Sequence, residues 1–576
     1  MNREFARLLE KAADAYELLK VEWKPRAYRR AARGIENYRE DISDIYNEEG
    51  KKGLLKIPGV GEGIAGHIEE YIKSGKVRKW EKLFSGLPEV STELMELKGL
   101  GPRKVAILTD RLKIRSMEDL KRAVREEKVR KIPGFGAATE KNIMESILQY
   151  RAGHERMLIS EALPAAERIV QYLSEKPGVG RVDYTGSLRR MSETIGDIDI
   201  LASSDEPAAV MEAFTKMPEV KRVLARGATK SSVMLKGGLQ VDLRVVPSNV
   251  YGAALQYFTG NKDHNVEMRK IAIKRGLKLS EYGLLKGKEV LAGRTEEEVY
   301  GKLGLAYIPP EMREDRGEIE AAKAGKMPGL IESGDIRGDL HMHTRYSDGL
   351  EGVGEMAREA EKLGYEYIAI TDHSPSERIA RGVEPERLKE QWAEIDRVAK
   401  KSRVRILKGA EVDILPDGSL DYPEEVLKRL DVAVCSIHSG FRMGMKKMTE
   451  RVTTALENPH LDILAHPTGR MIGKREGYQI DLEAVFEAAA ERKKILEIDS
   501  QAERLDLNDT HIMKAREYGL RFSISSDAHS SGGLYHMRYG LGQARRGWLG
   551  KEDVVNALPL PELLKALGKS TAFLSD

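Results

Sequence analysis

The run Gly186-Ser187-Leu188-Arg189-Arg190, followed by Gly196-Asp197-Ile198-Asp199-Ile200-Leu201, decides the reading of the middle of the chain. Residues two apart on a strand face the same way, so Asp197 and Asp199 present their carboxylates side by side. Apolar Ile198, Ile200 and Leu201 favour a buried strand over a solvent-facing edge. Paired carboxylates there are costly unless a cation lies between them. A third acid follows in Gln240-Val241-Asp242-Leu243-Arg244, a second strand with apolar flanks. Three convergent carboxylates suit Mg²⁺ or Mn²⁺, which bind oxygen ligands together with substrate phosphates. Two such ions would activate a primer hydroxyl and stabilise in-line nucleotidyl transfer. Gly186, Ser187 and Arg190 lie on the turn upstream, where a hydroxyl and a guanidinium suit triphosphate oxygens.

Further along, seven apolar runs end in polar residues. Five finish with histidine: Asp339-Leu340-His341-Met342-His343, Ile370-Thr371-Asp372-His373, Ser436-Ile437-His438, Leu464-Ala465-His466 and Ser526-Asp527-Ala528-His529. A sixth ends at Glu411, and the seventh, Ile495-Leu496-Glu497-Ile498-Asp499, has acids but no clear ligand. Helical runs separate these strands. The pattern is a βα repeat, and barrels of that kind place chemistry at the C-terminal ends of their strands. Nine of the 12 histidines follow residue 340, a concentration that metal ligation explains and surface chance does not. Imidazole with carboxylate suits Zn²⁺, Mn²⁺ or Fe²⁺. His460, His511 and His536 fall off the pattern and read as surface residues.

The 576 residues imply several domains, at about 100–200 residues each. Hydrophobic residues make up 41% and can build several cores, while the mixed signs of the 32% charged residues exclude a disordered polyelectrolyte. Cys435 is the single cysteine, which excludes a disulfide framework and a cysteine-based zinc module and fits a reducing cytoplasm. No apolar stretch approaches the ~20 residues of a membrane span, and no signal peptide is visible. A cytoplasmic monomer is expected. Residues 1–150 carry 31 Lys+Arg against 25 Asp+Glu, and 341–576 carry 35 against 39, so the basic end suits a phosphate backbone. Met1–Lys20 reads as an amphipathic helix. Three turns share one form, apolar-x-Gly-apolar-Gly before a helical run: Gly59 and Gly61, Gly99 and Gly101, Gly134 and Gly136. Such turns set backbone N–H groups outward at a helix start, for a phosphate or a phosphate-bound monovalent cation. They resemble helix-hairpin-helix motifs.

The order GSLRR, DIDI, VDLR and then Tyr257-Phe258-Thr259-Gly260-Asn261, with Asn265 and Arg269, resembles the family X DNA polymerases over residues 1–315. The resemblance implies that Tyr257, Phe258 and Gly260 line the nucleotide sugar, Asn265 reaches the incoming base, Arg269 the template, and Arg244 orders the aspartates. Lys262 stands where vertebrate repair members have an acid, and a cation there would grip the triphosphate or base. The lyase lysine of that family falls at His67 and its second lysine at Gly63, which implies that the lyase is absent. Lys24, Tyr28 and Arg29 match the region that binds a gap's 5′-phosphate. Residues 335–576 resemble the PHP domain, named for polymerase and histidinol phosphatase, a distorted seven-stranded barrel with three metals. The resemblance implies His341, His343, Glu411 and Asp527 at one metal, Glu411, His438 and His466 at the second, and Asp348, His373 and His529 at the third.

The expected architecture is multidomain, α+β and α/β. It runs from an 8-kDa-like helix-hairpin-helix domain (1–80) and a fingers-like one (81–150) to a nucleotidyltransferase palm (151–250) and thumb (251–315). A linker (316–334, within the charged stretch Glu311–Gly334) then leads to the PHP barrel (335–576). The expected function is template-directed filling of short gaps in gapped or primer–template DNA with dNTPs, in base excision repair, while the barrel hydrolyses DNA 3′ ends as a 3′–5′ exonuclease or 3′-phosphatase. The alternatives are a template-independent nucleotidyltransferase, or a DNA-end-binding protein whose barrel hydrolyses a small phosphate ester such as histidinol phosphate.

Overall fold

A computed structural model describes residues 1–569 apart from 19–20, 22, 37, 39–40, 86–93, 95–99, 101, 138, 141 and 145–155. The chain divides into two compact units, Met1–Glu155 and Arg156–Asp576.

The first unit is helical among its described residues. The amphipathic start folds as the helix Asn2–Leu18, and Phe5, Leu9 and Ala12 join a core with Tyr28, Ile35, Ile68 and Trp80. Gly59 turns the chain into the helix Glu62–Ser74 with φ 87°, and a Cβ there would stand 2.9 Å from the Arg30 carbonyl oxygen. Only glycine meets both conditions. A second core, from Leu100 through Leu108 and Leu120 to Phe135 and Ile143, holds the later helices.

In the second unit the helix Ile159–Ser174 packs with a five-stranded sheet. Its strands are β1 (Val182–Tyr184), β2 (Ile198–Ser203), β3 (Val220–Arg226), β4 (Lys230–Leu235) and β5 (Gln240–Val246), in the order β1-β2-β5-β4-β3. β2 and β5 run parallel with Asp199 opposite Asp242. Ile198 and Ile200 enter the core of one face, while Leu201 packs with Val246 and Tyr251 on the other. The helices Tyr251–Thr259 and Lys262–Lys274 and a three-stranded antiparallel sheet over 278–292 follow.

The C-terminal half winds seven parallel strands in chain order: β6 (Gly338–Asp339), β7 (Tyr367–Ile370), β8 (Arg405–Asp413), β9 (Val432–Ser436), β10 (Ile463–Leu464), β11 (Ile495–Asp499) and β12 (Arg521–Ser525). A bridge between Met342 and Ala528, with the His343 N–H donating to the Ala528 carbonyl at 2.8 Å, nearly closes the ring. The two-residue period divides the strand side chains between two cores: Tyr367 and Ala369 in one, with Leu407, Val432 and Val434; Ile368 and Ile370 in the other, with Trp392 and Ile406.

The stretch Glu311–Gly334, expected as a linker, is packed instead. Arg313 is fully buried and pairs with Glu296 at 2.6 Å; buried Glu318, at the start of the helix Glu318–Lys323, faces His264 at 2.7 Å. Ile331 joins the barrel core. The charges that read as a solvated tether are neutralised by partners distant in sequence. Ala502, Leu505 and Tyr539 of the barrel half complete the core of the five-stranded sheet.

Candidate functional sites

Asp197, Asp199 and Asp242 come together at the adjoining ends of β2 and β5. The Thr185 N–H donates to the Asp199 carbonyl at 2.7 Å, which ties the turn Gly186–Arg189 to β2. Gly186 has φ 64°, and a Cβ on it would lie 2.7 Å from Asp199 Oδ2. Burial, then Asp197 and Asp242, pushes the Asp199 carboxyl up to about 7, and burial with Asp242 raises Asp197. A divalent cation relieves this repulsion, so the trio fits the expected metal. Lys230, which the sequence reading missed, places Nζ 2.9 Å from Asp242 Oδ2. It arrives through the antiparallel register of β4 with β5, which no local sequence signal fixes. Arg244 stacks its guanidinium 4.9 Å from the Phe258 ring centre.

A cleft of about 290 Å³ brings together Arg190, Tyr257, Phe258, Gly260, Lys262, Asn265 and Arg269. Asn265 donates to the Tyr257 carbonyl at 2.7 Å and accepts from Gln256 at 2.7 Å, so it is fixed against the preceding helix Tyr251–Thr259. Arg190 donates from Nε to Glu314 at 3.0 Å and from Nη1 to the Thr259 carbonyl at 2.6 Å.

All nine residues expected as metal ligands converge at the C-terminal mouth of the barrel. Glu411 is the hub: His341 Nε2, His343 Nε2 and His373 Nδ1 stand 3.3, 3.5 and 2.8 Å from its Oε2, and His438 Nε2 and His466 Nε2 3.4 and 3.0 Å from its Oε1. Asp527 lies 3.0 Å from His343, and Asp348 lies 3.6 and 3.3 Å from His373 and His529. Ligand atoms fall into overlapping groups, among them His341, His343 and Asp527; His373, Glu411 and His438; and His343, Asp348, His373 and His529. His341 Nε2, His343 Nδ1 and His373 Nδ1 are buried without a hydrogen-bond partner although carboxylates lie within 4 Å. Cations between them would satisfy both sets, so the residues fit a cluster of metals. Burial opposes charge on His373, yet Glu411 outweighs it and lifts the imidazole to about 9, while burial and its histidine neighbours hold His343 down to about 3.

Carboxylates behind the ring orient it. Glu497 accepts at 2.8 Å from His341 Nδ1 and at 2.9 Å from the His466 N–H; Asp413 faces His438 Nδ1 at 2.6 Å. Glu497 is the role of the strand that showed no ligand. The mouth, a cleft of about 370 Å³, also holds Phe441, Arg475 and Arg504, loop residues with no periodic signal in the sequence. Arg475 lies 4.0 Å over the Phe441 ring, and Arg504 stands 3.8 Å from Asp527. His460, His511 and His536, expected at the surface, are half-buried, and the Nδ1 atoms of His511 and His536 are fully enclosed.

In the first unit, Lys24 Nζ sits 4.4 Å over the Tyr16 ring, Tyr28 is buried, and Arg29 pairs with Glu17 at 2.5 Å. His67 packs 5.1 Å from Trp80 and 6.4 Å from Tyr28; burial and then Lys79 keep its pKa below the ordinary value. Gly59 and Gly134 take positive φ, and Gly61 caps its helix. Gly99 and Gly101 lie outside the described residues. Among the described residues no helix is long and apolar enough to cross a membrane.

Comparison with known proteins accounts for most of the chain. Residues 1–77 match a helix-hairpin-helix domain, 91–147 a SAM-like helix-hairpin-helix tandem, 254–314 the DNA polymerase beta thumb and 339–501 the PHP domain. The "DNA polymerase/3′-5′ exonuclease PolX" of Bacillus subtilis (strain 168) is 40% identical over 568 residues, 97% of this chain and 98% of that protein. The chain belongs to the family X DNA polymerases that carry a C-terminal PHP domain. DNA polymerase lambda of Rattus norvegicus is 26% identical over 54% of this chain and 56% of its own length. A probable phosphatase of Thermoanaerobacter sp. (strain X514) is 34% identical over 34% of this chain and 79% of its own length. In this family X chain the matched thumb begins within the helix Tyr251–Thr259.

Proposed function

We propose that the chain is a template-directed DNA polymerase that fills short gaps during repair, and that its PHP barrel hydrolyses DNA 3′ ends. The observation that carries this reading is the presence, in one compact unit, of the Asp197–Asp199–Asp242 trio beside the cleft lined by Arg190, Tyr257, Phe258, Lys262 and Asn265, and of the nine-residue ring at the barrel mouth. Mg²⁺ or Mn²⁺ on the trio, and Zn²⁺, Mn²⁺ or Fe in the ring, would supply Lewis-acid stabilisation of phosphoryl oxygens and a more acidic nucleophile. Ser187, Arg190 and Lys262 bind the triphosphate above Gly186, Tyr257 and Phe258 pack on the sugar beside Gly260, Asn265 meets the base and Arg269 the template. Lys230 neutralises Asp242 in the absence of metal. At the barrel mouth Arg475 and Arg504 receive the phosphodiester, and Glu497 and Asp413 hold the histidine tautomers. The hairpin glycines, with Lys24, Tyr28 and Arg29, grip the DNA backbone without reading sequence. A cytoplasmic, monomeric repair enzyme is consistent with this set.

A one-nucleotide gap opposite each of the four template bases, offered one dNTP at a time, tests the reading. Incorporation of the matching nucleotide alone is expected. Incorporation that ignores the template base would assign the trio to a template-independent transferase.

A further inference from the structure

The nucleotide cleft and the barrel are joined by a buried ionic cluster centred on Glu314. Its Oε1 accepts from Arg190 Nε at 3.0 Å and from Arg546 Nη1 at 2.8 Å, and its Oε2 accepts from Asn261 at 2.8 Å. Arg546 ends the barrel helix Met537–Arg546 and is 7% exposed. The same Nη1 donates to the Arg190 carbonyl at 2.7 Å, while Nε and Nη2 hold Asp509 Oδ2 at 3.0 and 2.6 Å. The helix also donates from Gln543 to the Met191 carbonyl at 3.0 Å, and its Gly542 lies so near Met191 that a Cβ would come within 2.7 Å. One barrel helix thus grips the turn that carries Arg190 through its backbone and, by way of Glu314, through its guanidinium. Glu314 and Thr259 engage Nε and Nη1 of Arg190, and no hydrogen bond from Nη2 is found among the described residues, which leaves it for a ligand in the cleft that Arg190 lines.

We propose that Arg546, a residue of the phosphoesterase barrel, is a positioning residue of the polymerase site: it fixes Arg190 for the triphosphate of the incoming nucleotide. This rests on the reading of Arg190 as a triphosphate ligand. With Arg546 replaced, Glu314 loses one cation and the Arg190 carbonyl loses its donor. Arg190 is then drawn into a fuller pairing with Glu314 and away from the cleft.

The test measures KM for dNTP and for gapped DNA separately in full-length wild type, Arg546→Gln, Arg546→Lys and Arg190→Ala. Arg546→Gln is expected to raise the KM for dNTP about tenfold, the loss of about one charge-assisted contact, while the KM for gapped DNA stays within about twofold. A merely structural role would not separate the two constants. An unchanged KM for dNTP in Arg546→Gln, with the KM raised in Arg190→Ala, would overturn the proposal and leave the nucleotide reading intact. An unchanged KM in Arg190→Ala would overturn both. If Arg546→Gln does not fold, Arg546→Lys, which keeps the charge but cannot reach Glu314, Asp509 and the Arg190 carbonyl together, decides by the same criteria.

Discussion

Asp199 in the metal-free protein keeps its proton up to about pH 7, because burial and the Asp197 and Asp242 carboxylates oppose its charge. The unfolded chain releases that proton near pH 4. Between these values the native state binds more protons than the unfolded one, so its stability falls as pH rises, by at most about 1.4 kcal/mol per pH unit, and levels off above about pH 7. Asp199→Asn should therefore raise the thermal midpoint of chelator-treated protein at pH 8 and leave it nearly unchanged near pH 4. The same small gain at both pH values would mean that Asp199 is not strained. At the other site, Glu497→Gln keeps the side chain's size but removes the charge that faces His341. Retained metal and DNA hydrolysis should fall by about tenfold to a hundredfold, with nucleotide incorporation preserved. Metal content equal to wild type after dialysis would show that His341 is oriented by something else.

Strands and turns divide into those the sequence announces and those it does not. The barrel strands are legible because they are continuous apolar runs, which the fold buries between two cores, and because six of the seven runs stop at a residue of the barrel mouth. Eight of the nine residues that converge at the mouth are legible for the same reason, and Asp348 only through the resemblance to the PHP domain. Lys230 is not, since its approach to Asp242 depends on the pairing of β4 with β5. Arg475 and Arg504 belong to loops, where no period marks an inward residue. The stretch from Glu311 misleads because Arg313 and Glu318 find their partners, Glu296 and His264, only after folding. Gly186 is the clearest legible turn, and its geometry gives a prediction. Gly186→Ala adds a Cβ at positive φ, 2.7 Å from Asp199 Oδ2. It should cost about 1–3 kcal/mol of stability and remove incorporation while leaving DNA hydrolysis. Full incorporation by that variant, measured on gapped primer–template, would contradict the placement of the turn over the aspartates.

The second compact unit joins two chemistries, with the barrel supplying Ala502, Leu505 and Tyr539 to the core of the sheet that bears the aspartates. The central claim is that these are two separate active sites serving one DNA terminus. The decisive measurement uses a labelled primer beside a one-nucleotide gap with a 5′-phosphate, in Mn²⁺, with and without dNTPs, for wild type, Asp199→Ala and His341→Ala. Templated addition should vanish only in Asp199→Ala, and primer shortening only in His341→Ala. Loss of both activities in either variant would contradict two independent sites, and addition with no shortening by wild type would remove DNA from the substrates of the barrel.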